Sequence, residues 1–115
     1  MNIEKIQEKL RKFTKERNWD QFHTPKNISM ALSVEVAELI EIFQWSNSDG
    51  LKEIKDKEIR KSIEEEIADI FIYLLIFSDK LNLDLSEIIS KKIKKNEDKY
   101  PIKQSYGSSK KYTEF

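Results

Sequence analysis

The run from Ile67 to Phe77, I-A-D-I-F-I-Y-L-L-I-F, carries a single charge, Asp69, in a stretch otherwise apolar or nearly so. Wound into a helix, it is apolar almost all the way round, and such a helix belongs in the middle of a bundle. The run falls well short of the roughly 20 residues that a membrane span needs. A carboxylate at its heart must therefore be explained in a protein interior, where an unpaired charge costs several kcal/mol.

The rest of the chain is built to surround such a helix with others. Only two Gly and two Pro occur in 115 residues, while charged residues make up 37% and hydrophobic ones 38%. That balance starves turns and favours long amphipathic helices, so the expectation is an all-α fold. The length suits one domain with a real core. Lys plus Arg and Asp plus Glu both number 21, and zero net charge offers nothing global to steer the protein to nucleic acid or an anionic membrane. There is no cysteine, which excludes disulfides, thiolate metal sites and Cys nucleophiles and is compatible with the cytoplasm. The first ten residues, M-N-I-E-K-I-Q-E-K-L, form a charged amphipathic pattern without the apolar stretch of a signal peptide. The expectation is a soluble cytoplasmic protein with neither a membrane nor nucleic acid as partner.

Ile3, Ile6, Leu10 and Phe13 recur at helical spacing, which predicts a first helix ending before Asn18. An ordered connection follows from Trp19 to Asn27. Thr24 before Pro25 reads as an N-cap with a first-turn proline, opening a second helix to about Trp45. Ser46 to Gly50, S-N-S-D-G, is the clearest turn. Leu51 to Lys57 has room for a short helical turn, and Glu58 to Leu81 reads as a long third helix. Asp84 and Glu87 have capping-box spacing and open a fourth helix to about Lys99, stopped by Tyr100-Pro101. The domain is thus expected over residues 1–101, with 102–115 a polar tail, mobile or docked only by its aromatics.

Two of these helices share a feature. The second carries Glu35-Val-Ala-Glu38 and the third Glu66-Ile-Ala-Asp69. Residues three apart lie on one helical face, so each pair sets two carboxylates side by side among apolar neighbours. Cationic side chains are scarce nearby: none occurs between Lys26 and Lys52, or between Lys61 and Lys80. A divalent ion answers the need for positive charge. An all-oxygen set suits a hard ion such as Mg2+, with Mn2+ as a substitute, rather than Zn2+ or Cu2+. Di-iron bundles need Glu-x-x-His on their helices, whereas the only histidine here, His23, lies in a loop. A lone E-x-x-E is ordinarily a solvated stripe; two such pairs on consecutive long helices carry the metal reading.

The acid pairs, together with R-N-W-D-Q-F-H-T-P-K-N from Arg17 to Asn27, E-V-A-E-L-I-E-I-F-Q-W from Glu35 to Trp45, E-E-I-A-D-I-F-I-Y-L from Glu65 to Leu74 and N-E-D-K-Y-P from Asn96 to Pro101, resemble the MazG-like all-α nucleoside triphosphate pyrophosphohydrolases. Within them the match is to the dCTP pyrophosphatase branch. The resemblance implies a four-helix-bundle-like fold, assembled as a homodimer or homotetramer with helices packing across subunits. It implies cleavage of a (deoxy)nucleoside triphosphate, dCTP or a modified dCTP, to the monophosphate and pyrophosphate, a sanitation of the nucleotide pool. Glu35, Glu38, Glu66 and Asp69 would hold Mg2+ and form the catalytic centre, with one glutamate alternatively the general base. Trp19, His23, Trp45, Tyr73 and Asn96 would contact base or sugar, and Lys92 and Lys99 the phosphates. Read without the resemblance, either tryptophan suits a core as well as a base, and the lysines, interleaved with Glu97 and Asp98, suit a solvated face. The alternative function is a non-catalytic nucleotide-binding or helical interaction module.

Overall fold

The structure, a computed structural model, describes all 115 residues and contains helices and turns but no strand. The all-α expectation is met. Helices α1 (Ile3–Glu16), α2 (Pro25–Phe43) and α3 (Lys57–Lys80) belong to a compact unit of residues 1–82, and α4 (Leu85–Lys99) and a short α5 (Ile102–Ser105) to a second unit, residues 83–115. No helix is long and apolar enough to cross a membrane.

Helix starts follow the sequence signals. Thr24 accepts a hydrogen bond from the Asn27 amide at 3.2 Å, with Pro25 next in line, and Asp84 accepts from the Glu87 amide at 3.1 Å. The Glu87 carboxylate turns forward to Lys91, at 2.7 Å, in a pair one turn along. The cap of α3 is Asp56, which accepts from the amides of Glu58 and Ile59. Two helices stop earlier than expected. In α2 the ladder tightens after Phe43: the Gln44 amide donates to Glu41 and the Ser46 amide to Phe43, three-residue steps that lead into the Ser46–Gly50 turn and leave Trp45 outside the helix. In α3 the Leu81 amide caps the helix and Asn82 takes a positive φ of 53°, as does Asn18 after α1. Asparagine tolerates that region better than most residues. The segment from Leu51 to Lys57 contains a single 3-10 turn, Glu53–Lys55, resting on α3.

Within the first unit α2 lies along α3, and α1 packs against α3 from another side. The Gln7 side chain donates to the Leu75 carbonyl at 3.1 Å, fastening α1 to the C-terminal part of α3. The fully buried apolar core is small: Ile28 is 1% exposed and Leu75 3%. Much apolar surface is left over, including Met30, Val34 and Ile40 on α2 and Ile67, Phe71 and Leu74 on α3. The α3 run is therefore central in its own unit on only part of its circumference.

In the second unit the tail is docked by its aromatics. Tyr112 and Phe115 meet the Tyr100 ring edge-on at 6.0 and 5.8 Å between centroids, and the Lys99 ammonium lies 4.8 Å over the Tyr112 ring.

Candidate metal and nucleotide site

The packing of α2 along α3 decides where the acids go. Glu35 and Glu38, one turn apart on α2, face Glu66 on α3, and a carboxylate oxygen from each of the three lies within 4.8 Å of the other two. Glu35 and Glu66 are half-buried and Glu38 is exposed. One oxygen of Glu35 and one of Glu66, both Oε2, are buried without a hydrogen-bond partner. Orphaned carboxylate oxygens are costly, and three acids converging on one point make the cost larger. Burial pushes the Glu66 carboxyl up to about 7, aided by the facing carboxylates of Glu35 and Glu38. Burial also raises Glu35, as do the charges of Glu38 and Asp69, while the facing Glu66 opposes the rise. In the metal-free protein this cluster holds protons that isolated glutamates would have lost. A divalent cation with a taste for oxygen donors would satisfy the orphaned oxygens and replace those protons, so the donor set fits such an ion.

Asp69 lies one helical turn beyond Glu66 and is half-buried. It stands outside the close trio, although its charge is felt at Glu35. Three of the four sequence-predicted ligands are therefore brought together and the fourth flanks them. Two polar residues given no role from sequence join the site: Glu41 and Ser62 line an open hollow of about 430 Å3 with Glu38, Ile42 and Glu66. Their signal was helical spacing, since Glu41 follows Glu38 by three residues and Ser62 precedes Glu66 by four.

A second, more enclosed pocket of about 310 Å3 lies between α1, the loop after it and α3. Its lining is Leu10, Phe13, Thr14, Trp19, His23, Ile72, Tyr73 and Ile76. Three of the residues expected at a nucleobase, Trp19, His23 and Tyr73, thus line one mainly apolar pocket, with Trp19 edge-on to both Phe13 and His23. Leu10, Phe13, Ile72 and Ile76 read from sequence as core positions and here have a face on the pocket. Trp45 does not join them. It is 85% exposed and borders a different hollow with residues of the 47–55 segment. Lys92, Asn96 and Lys99 sit on α4 at spacings of four and three, along one face of that helix in the second unit.

Carboxylates drawn from E-x-x-E and E-x-x-D on neighbouring helices, and an apolar pocket walled by aromatics in the same unit, define an all-helical protein with a candidate site for a divalent cation. The MazG-like family model matches residues 30–115, and the chain belongs to that family. It is 38% identical over 114 residues to dCTP pyrophosphatase 1 of Rattus norvegicus and 37% identical over the same length to that of Homo sapiens, in each case over 97% of this chain and 66% of the relative. The chain thus spans about two thirds of the length of these curated relatives. A solved pyrophosphatase structure from Archaeoglobus fulgidus is 46% identical and superimposes with a TM-score of 0.78, covering 85% of this chain and 91% of that one.

Proposed function

We propose that the protein is a Mg2+-dependent nucleoside triphosphate pyrophosphohydrolase that converts dCTP or a modified dCTP to the monophosphate and pyrophosphate, sanitising the nucleotide pool in the cytoplasm. The observation that carries this reading is the convergence of Glu35, Glu38 and Glu66 within 4.8 Å. Similarity to dCTP pyrophosphatase 1 and to the Archaeoglobus fulgidus pyrophosphatase supports the reaction class.

In this reading Glu35, Glu38 and Glu66 hold the ion, with Asp69 completing the set or adding its negative charge from the flank. When bound, Mg2+, or Mn2+ in its place, neutralises charge on the phosphate oxygens and lowers the pKa of water, as in other phosphoryl transfers. The protein's own residues do the rest. Trp19, Tyr73 and Phe13 offer flat apolar faces that stack on a base and exclude water. The His23 imidazole presents a hydrogen-bonding edge to the same pocket. Lys92 and Lys99 supply positive charge for the phosphates and Asn96 a contact to sugar or base.

The enzyme works as a homodimer or homotetramer. Support comes from the apolar side chains left exposed along α2 and α3, of which Ile40 is 62% exposed and Phe71 49%. An apolar surface of that kind is ordinarily covered in an assembly. Trp45, 85% exposed and apart from the other aromatics, fits a role at such an interface, where it would reach a base held by another subunit.

Pyrophosphate release across the deoxynucleoside triphosphates, with and without Mg2+, tests the proposal. The expected result is turnover that needs the ion, favours dCTP or its derivatives and vanishes in a folded Glu66→Gln variant. Nucleotide binding without any turnover would leave the non-catalytic module instead.

A further inference from the structure

Apart from the acid cluster, opposite charges meet where α1, the loop after it and the last turn of α3 come together. There Arg11 on α1 pairs with Asp79 at 2.6 Å, and the Lys80 ammonium meets the Asp20 carboxylate. The Asp20 carboxyl is held below its usual range, chiefly by its hydrogen bond to Lys80 and then by the Lys80 charge. A narrow charged crevice runs between these groups. His23 lines that crevice and the apolar pocket alike.

Asp20 occupies a particular place in the chain. Trp19 precedes it, His23 follows three residues later, and both form the loop wall of the apolar pocket. The wall is a tight turn: the Phe22 amide donates to the Trp19 carbonyl at 2.9 Å and the His23 amide to the Asp20 carbonyl at 3.1 Å. Movement of Asp20 therefore carries both side chains with it. Toward α1 the turn is tied by the Trp19 amide, which donates to Thr14 at 2.9 Å. Toward α3, the ion pair with Lys80 is its polar tie. That helix supplies the opposite wall, Ile72, Tyr73 and Ile76, and Lys80 comes two turns after Tyr73.

We infer that Asp20 and Lys80 are positioning residues that set the separation between the Trp19–His23 wall and the Tyr73 wall, and so tune how tightly the pocket grips a nucleobase and which bases it accepts. Neither side chain lines the apolar pocket itself; both act through the turn. The inference rests on the base-binding reading of that pocket. An exposed pair of this kind has limited strength, and its loss is expected to weaken nucleotide binding about three- to fivefold.

The test uses the full chain in a Trp45→Phe parent, in which emission reports Trp19 alone and whose own constants are the reference because Trp45 is itself assigned to a base, and reads Kd for nonhydrolysable analogues of the four deoxynucleoside triphosphates together with KM and kcat from pyrophosphate release. Lys80→Ala is expected to raise Kd and KM about three- to fivefold, narrow the differences among bases, leave kcat within about twofold and shift Trp19 emission to the red. Lys80→Arg, and the exchanged pair Asp20→Lys with Lys80→Asp, are expected to restore affinity. A lowered melting temperature with unchanged Kd, KM and base preference would overturn the inference, because that is all a merely structural pair would produce. Trp19→Ala separates the two levels. If it weakens binding while Lys80→Ala does not, only the positioning role falls; if neither weakens binding, the pocket reading falls with it.

Discussion

Protons held by the acid cluster should be expelled when a divalent ion binds, and the Glu66 carboxyl near 7 sets where on the pH scale this occurs. A single group with a pKa of about 7 is about one-tenth ionised at pH 6, half at pH 7 and nine-tenths at pH 8. Metal affinity proportional to the ionised fraction therefore rises about fivefold from pH 6 to 7 and about twofold from 7 to 8. Calorimetric titration with Mg2+ or Mn2+, repeated in buffers of different ionisation enthalpy, reads both the affinity and the protons. Release of about 0.9 proton per ion is expected at pH 6 and about 0.1 at pH 8. The raised Glu35 carboxyl shifts the window in the same direction. Glu66→Gln should abolish the steep part and weaken binding throughout. Stability carries the matching sign: the folded metal-free protein binds more protons than the unfolded chain between the ordinary glutamate value of 4.5 and about 7, so it loses stability as pH rises through that window. A saturating divalent ion should remove the loss. Affinity equal at pH 6 and 8, with no proton release at either, would refute the reasoning.

Two other outcomes follow from packing. Gly50 has a φ of +90°, and a Cβ there would come within 3.1 Å of the Phe43 ring, so Gly50→Ala should cost about 1 kcal/mol or more and lower the denaturation midpoint; an unchanged midpoint would show that the turn is not held as described. Phe71, half-exposed on α3, should lie in the subunit contact, and Phe71→Asp should reduce the sedimentation coefficient to that of a smaller assembly while helix content by circular dichroism is retained. Identical sedimentation would remove Phe71 from the interface.

What the sequence revealed, and what it hid, divides along one physical line. Local geometry was legible. Thr24, Pro25 and Asp84 announced helix starts because a cap acts within three residues, and the acids announced a shared face because i,i+3 spacing is fixed by the helix itself. For the tail, docking by its aromatics was one of two readings left open beside mobility, and the Tyr112 and Phe115 rings lie against Tyr100. Properties that depend on how one helix is rotated against another were not legible. The angle of α2 on α3 admits Glu66 to the close trio and leaves Asp69 at its flank, though the two are one turn apart on the same helix. It also brings Ser62 and Glu41 to the hollow. Likewise Asp20 and Lys80 are 60 residues apart, and nothing in either neighbourhood names the other.

The Asp69 puzzle resolves in the same terms. The apolar run does not surround the aspartate with core, because Ile67, Phe71 and Leu74 keep substantial exposure while Leu75 and Ser78 are buried. One flank of α3 packs inside its unit, another is exposed, and the acids occupy the strip against α2. A carboxylate tolerated in so apolar a helix is therefore tolerated at a boundary, where neighbouring acids raise its partners' affinity for protons and a divalent ion can displace those protons.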